Sequence, residues 1–431
     1  MLENFHSPLA RLLLQFIVII LATRLVGSLF ARFGQPRVIG EITAGILLGP
    51  SLFGWVWPAA SGFIFPTESL GTLQLFSQIG VCIFMFVVGL ELDLSHLKQK
   101  ARVAWVISNT GIIVPFLLGL GVSVLLYPGF GSPVTPFTAF ALFMGIAMSI
   151  TAFPVLVRIL KDRGMAKTPL GTMAIACAAV DDATAWAILA LVIAITKASG
   201  LSSAVLSLGL VMVFVAAMLL VVRPRLSGWL GVDTSEGTQA RGAIGAVLLF
   251  MTASALMTEL MGIHALFGAF LAGVVMPQKK EFREYLTLQL QNFSGVFLLP
   301  LFFAFSGLRT HLGLLSNLGS WLICGGIIAV AVTGKLGGVM LASRFMGMNW
   351  KDSFSLGALM NTRGLVELVA LNIGYDLGIL PPAIFTMMVL MALVTTFITG
   401  PLLNLASGTR GIFCVTNRSG TQPRPATASF P

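Results

Sequence analysis

The chain of 431 residues is 57% hydrophobic and only 10% charged, with a mean hydropathy of +0.95. A soluble domain carries about 25% charged residues, so this composition excludes one and indicates an all-α polytopic membrane protein. The net charge of +10 invites a nucleic-acid partner. The placement of the basic residues excludes that and fits a chain threaded through a bilayer.

Apolar runs close to the length of a membrane span fall at 9–30, 38–50, 70–91, 103–127, 134–158, 169–196, 201–222, 240–259, 262–277, 290–308, 318–343, 354–374 and 382–405, which predicts about 13 transmembrane helices. The second and ninth are short. With that count, one set of loops and flanks holds twenty of the 26 Lys and Arg residues, whereas the other holds at most Arg11, Lys197 and Arg309. Basic loops stay on the cytoplasmic side, so the amino terminus is expected outside and the carboxyl terminus in the cytoplasm of a bacterial inner membrane. Arg32 and Arg37 directly follow the first run, which favours a retained span over a cleaved signal peptide. Cys82, Cys177 and Cys324 fall within spans and Cys414 near the end, with no spacing for a disulfide frame or a metal site. His6, His96, His264 and His311 show no ligand spacing either.

The fifth run carries a break signal. Pro154 lacks an N–H and disfavours helix at Phe153, so the carbonyl of Ile150 loses its usual donor, while Thr151 brings a hydroxyl to the same depth. The sixth run contains Asp181 and Asp182 side by side. A charge near the bilayer centre costs about 2.5–3.5 kcal/mol, so such residues usually mark an ion pathway or proton relay. Neighbouring helix residues point about 100° apart, so one carboxylate can meet a fixed partner while the other faces a water-filled cavity. In the eleventh run Lys335 lies among Gly334, Gly337 and Gly338, which admit a close neighbouring helix. Its ammonium needs an acid, and the aspartate pair is the candidate. In the twelfth, Asn361–Thr362–Arg363–Gly364 forms a second polar break, with Arg363 and Glu367 four apart and expected to pair structurally. Glu41, Arg24 and Glu259 are lesser charges near the interfaces.

A weak repeat ties these runs together. Gly40, Ala44 and Gly45 of the second run match Gly268, Ala272 and Gly273 of the ninth. Gly89–Leu90 matches Gly307–Leu308, and Ala147, Thr151 and Val155 match Ala358, Thr362 and Val366. Run n pairs with run n+7, an odd step, so the copies are inverted, as in many secondary transporters. The expected organisation is one membrane domain over 1–406, with repeats roughly at 9–196 and 240–405 around a linker helix at 201–222. A short disordered cytoplasmic tail is expected over 407–431.

The stretches Ser149–Leu160, Val180–Trp186, Gly262–Phe270, Pro300–Leu308 and Asn361–Leu368 together resemble the monovalent cation:proton antiporter-2 family, sodium/hydrogen exchanger-like membrane domains. The resemblance implies two broken helices crossing beside the acid pair, in a core that moves against a dimerisation domain, and hence a homodimer in the lipid bilayer. It implies that Asp182 binds the transported proton or monovalent cation, sodium or potassium. Asp181 would be the acid paired to Lys335, and Thr151 the polar residue at the first break. No cofactor is implied, and the double-acid form points to electrogenic exchange. Two other classes share features: a sodium-coupled organic-anion symporter of the same fold, and an intramembrane aspartyl protease. The latter needs its acids on separate helices, and Tyr375–Asp376 has no Gly-x-Gly-Asp counterpart.

Overall fold

Backbone in a lipid phase has to satisfy its own hydrogen bonds, and the sequence answers with helices. The computed structural model describes residues 7–91, 101–131, 135–197, 201–229, 239–262 and 264–407. His6, His96, Cys414 and the expected tail beyond Ser407 lie outside them.

In chain order the helices are α1 (Pro8–Arg32), α2 (Arg37–Leu48), α3 (Phe53–Val56), α4 (Pro58–Ile64), α5 (Thr67–Glu91), α6 (Ala101–Phe130), α7 (Phe137–Ser149), α8 (Phe153–Asp162), α9 (Pro169–Lys197) and α10 (Leu201–Ala216). There follow α11 (Arg223–Trp229), α12 (Gln239–Leu260), α13 (Ala265–Val274), α14 (Lys280–Phe293), α15 (Leu299–Leu308), α16 (Leu318–Phe345), α17 (Trp350–Met360), α18 (Leu365–Asp376) and α19 (Pro382–Ser407). Wide-turn π segments at Ala217–Val222 and Ser294–Leu298 join α10 to α11 and α14 to α15.

Among the described residues ten helices are long and apolar enough to cross a membrane, or eleven when the bent pair α17–α18 is one span. Helix length among these residues does not by itself confirm the expected thirteen. The runs at 240–259 and 262–277 give shorter apolar helices, Ile244–Leu260 and Ala265–Val274. The ten residues of α13 are almost wholly buried, so protein rather than lipid covers a helix too short to span alone. The tenth run starts earlier than expected, because α14 continues it on a stripe where Leu286 and Leu290 are buried.

The helices pack in two groups. α1, α2, α5, α12, α13, α14 and α15 lie together, and so do α6 to α9 with α16 to α19. Within the first group the repeat signals meet each other. A Cβ on Gly273 of α13 would strike Phe86 O and Gly89 of α5; one on Gly307 of α15 would strike Ile42 O and Gly45 of α2. In return, a Cβ on Gly89 would strike Phe270 O, and one on Gly45 would strike Ala304 O. Each contact has its counterpart in the other copy, as an inverted repeat with a pseudo-twofold axis demands. Only glycine lets these backbones approach so closely.

In the second group α7 stops at Ser149 and α8 resumes at Phe153; α17 stops at Met360 and α18 resumes at Leu365, bent by 43°. The two unwound links cross. The Ala152 N–H donates to Thr362 O at 2.9 Å, and the Thr151 hydroxyl donates to Met360 O at 2.9 Å.

Candidate functional site: the crossing of two broken helices

Breaking two helices at mid-depth leaves carbonyls without donors, in surroundings where each unmet group costs about 1–3 kcal/mol. Two cations meet those of α7. Arg363 donates through Nη1 to Ala147 O (2.7 Å) and Ile150 O (3.3 Å), and through Nη2 to Met148 O. Lys335 donates through Nζ to Ser149 O. The negative end of a helix dipole favours cations, so the break is held by charge as well as by hydrogen bonds. The Ile150 carbonyl, expected to be orphaned by Pro154, thus finds its donor in Arg363.

Lys335 reaches the crossing because α16 packs closely on α6. A Cβ on Gly334 would strike Leu118 and crowd Pro115, and one on Gly338 would crowd Val114. From there Nζ lies 2.9 Å from Asp181 Oδ2, both side chains being fully buried. Ser108 of α6 donates to the other oxygen of Asp181 at 3.3 Å. Asp181 is therefore the carboxylate with a fixed partner.

Asp182, one position on, is also fully buried, yet neither of its oxygens has a hydrogen-bond partner among the described residues. The backbone N–H of Phe153, the first residue of α8, is directed at it without completing a bond. A helix N-terminus favours an anion, so α8 offers a weak electrostatic cradle where a side-chain partner is lacking. The same helix opens on a cavity of about 400 Å³ lined by Arg37, Glu41, Glu91, Pro154, Arg158 and Lys161. The cavity reaches Pro154 and Leu365; Asp182 does not line it and is fully buried.

Arg363 and Glu367 do pair, at 3.5 Å, but not on one face of a helix. Arg363 belongs to the unwound link and Glu367 to the first turn of α18. Nη1 and Nη2 of Arg363 bond α7 carbonyls, its Nε bonds nothing, and neither Glu367 oxygen completes a hydrogen bond among the described residues. The Asn361 amide is buried and likewise unbonded, while the Thr362 hydroxyl turns back to Leu359 O at 2.8 Å. Sequence reasoning missed Ser108, Thr396 and Trp186. The Thr396 hydroxyl accepts from the Arg363 N–H at 2.9 Å and donates to Arg363 O at 2.8 Å, which pins the second link. Trp186, one turn beyond Asp182, stacks on Phe270 of α13 at 5.9 Å between the helix groups. Their only sequence signal was polar or aromatic character within spans.

Residues 17–406 match the family described as sodium/hydrogen exchanger, transmembrane. The chain belongs to this family. Among its relatives, the Na(+)/H(+) antiporter NhaS4 of Synechocystis is 44% identical over 397 residues, covering 92% of this chain and 97% of that one. The K(+)/H(+) antiporter 1 of Saccharomyces cerevisiae is 34% identical over 93% of this chain, which spans 47% of the yeast protein. The fold matches the solved sodium proton antiporter MjNhaP1 of Methanocaldococcus jannaschii, with a TM-score of 0.65 at 14% identity over 92% of this chain and 97% of that one. For this exchanger-family chain the symporter and protease readings have no support. The all-α fold with crossed, broken helices agrees with the sequence-based expectation.

Proposed function

We propose that this chain is a secondary active antiporter that exchanges a monovalent cation for protons by alternating access, with Asp182 as the carrier. One observation carries the assignment: Asp182 is a fully buried carboxylate without a hydrogen-bond partner among the described residues, beside a neighbour already neutralised by Lys335. Such a group is stable only while charge-compensated, by a proton or by a bound cation. The two ligands compete for one carboxylate, and competition is what couples their opposite fluxes. An ionised, unliganded Asp182 stays on the side it faces, because moving its bare charge through the protein is costly. Thr151 and backbone oxygens of the crossing complete the cation's shell in this reading.

The relatives are named for sodium and for potassium exchange, so we assign the class of monovalent cations. The distribution of basic residues supports a cytoplasmic carboxyl terminus and a cell-membrane location. Family membership is the support for a homodimer and for a moving core of α6 to α9 and α16 to α19. The deciding experiment reconstitutes the protein in proteoliposomes with an imposed pH gradient and adds sodium, lithium or potassium. Cation-dependent collapse of the gradient is expected, and its absence for all three overturns antiport.

A further inference from the structure

The two ends of the crossing differ. Towards Lys161 lies the 400 Å³ cavity; towards Asp376 the space between the two helix groups shrinks to about 20 Å³, beneath Gln78, Asn372 and Asp376. Helix α5 touches both ends, with Glu91 in the cavity and Gln74 at the narrow end. Those residues are 17 positions apart on one helix, about 26 Å at 1.5 Å per residue, so the ends lie on opposite faces of the bundle.

A cluster of polar side chains spans the narrow end. Arg309, at the end of α15, donates through Nη1 to Asp376 Oδ1 at 2.6 Å and to Asn372 Oδ1 at 3.1 Å, both on α18. Its Nη2 donates to Gln74 Oε1 on α5 at 3.0 Å, and Gln74 Nε2 donates to Asp376 Oδ2 at 2.9 Å. Arginine, carboxylate and amide thus close a ring that joins α5 and α15 of one group to α18 of the other. The guanidinium also lies 4.3 Å from the Phe305 ring centre on its own helix and 5.2 Å from that of Tyr375 on α18. About one turn before Asp376 on α18, Asn372 donates to the Ser306 hydroxyl at 2.8 Å. α18 is the half-helix that begins at the crossing, so whatever holds α18 against α5 and α15 holds shut the route from Asp182 to this face.

We propose that Arg309 is a gating residue of the exchange: its clamp on Asp376 and Asn372, braced by Gln74, seals the face opposite the cavity and releases each time the carrier turns to that face. The proposal rests on the antiport reading, which exchange by the unmodified protein tests by itself. A planar guanidinium suits this task, since it makes several directed bonds at once and loses them together when α18 slides. In the orientation proposed above this is the external gate, and Arg309 is among the few cations on that side.

A permanent strut predicts different behaviour. With Gln74→Cys and Asp376→Cys introduced together, oxidation should cross-link α5 to α18 and stop exchange, and reductant should restore it. Full exchange in the cross-linked protein overturns the gate. Arg309→Gln supplies a second reading that needs no cross-link. Weakening the clamp raises the fraction facing the gated side, so the apparent affinity for the cation there should improve at least about threefold relative to the opposite face, measured in vesicles of both orientations. A folded Arg309→Gln protein whose ratio of affinities is unchanged also overturns it.

Discussion

Asp181 and Lys335 meet at 2.9 Å with neither side chain exposed, while Asp182, the next residue, completes no hydrogen bond among the described residues. One acid already has a fixed counter-charge, and its neighbour is left for the transported ion. Asp182→Asn should therefore abolish cation-dependent proton movement while leaving the protein folded, since it removes a buried charge that nothing else in the fold needs. A folded Asp182→Asn protein that still dissipates a pH gradient on adding sodium or potassium would sink the site assignment.

Competition at one carboxylate fixes the sign of the pH dependence. As pH rises, protons leave Asp182 and the cation meets less competition, so the half-saturating cation concentration should fall, by up to tenfold per pH unit while protonation dominates (about 1.4 kcal/mol per unit). As pH falls it should rise. Initial rates at several pH values, with cation concentration varied at each, check this. An unchanging half-saturation would separate the proton from the cation site.

The Asp181–Lys335 pair should be revealed by its removal. Lys335→Ala leaves Asp181 buried beside Ser108 alone and should destabilise the protein by about 3–5 kcal/mol, read as a lower unfolding temperature in detergent. Adding Asp181→Asn should recover part of that loss, because the uncompensated charge goes too. Strict additivity of the two losses would show that the contact carries no coupling.

Much of this site was legible because charge in an apolar run has few innocent explanations. Asp181, Asp182 and Lys335 stood out by cost alone, and the glycines around Lys335 correctly announced the close helix that proved to be α6. The role of Arg363 was harder to read. The four-residue spacing to Glu367 assumes a continuous helix, but the chain is unwound from Thr362 to Gly364, which frees the guanidinium to serve the carbonyls of α7. Ser108 was invisible for another reason: a serine within a span bonds its own helix as readily as a neighbour. The count of thirteen spans is not confirmed by helix length, since α13 is too short to cross a membrane by itself and is covered by α5 and α12.

Arg363 holds the break in α7, so Arg363→Gln should act on stability before transport. It frees the Ala147, Met148 and Ile150 carbonyls and leaves Glu367 without a counter-charge, a loss of about 3–5 kcal/mol by analogy with other broken buried pairs. Arg363→Gln with Glu367→Gln should be more stable than Arg363→Gln alone. If thermal unfolding of the double variant is no better, the pair is not what Glu367 is for.

The last prediction concerns charge. Asp181, Asp182 and Glu367 face Lys335 and Arg363 in one buried cluster, so with all five ionised the crossing carries one negative charge in excess. One cation or one proton on Asp182 cancels it equally, and that exchange moves no net charge. Electrogenic exchange needs a second proton in the cycle, and the Asp181–Lys335 contact is placed for it: a proton taken up by the pair breaks the contact, and cation binding at Asp182 restores it. Two protons would then cross for each cation, and membrane voltage should drive exchange with no pH gradient. Asp181→Asn should make any remaining exchange electroneutral. Cation uptake into proteoliposomes under a valinomycin-clamped potential measures both, with rates expected to change several-fold per 100 mV, since one charge is worth about 2.3 kcal/mol there. Voltage-independent exchange by the unmodified protein refutes the two-proton cycle while leaving competition at Asp182 in place.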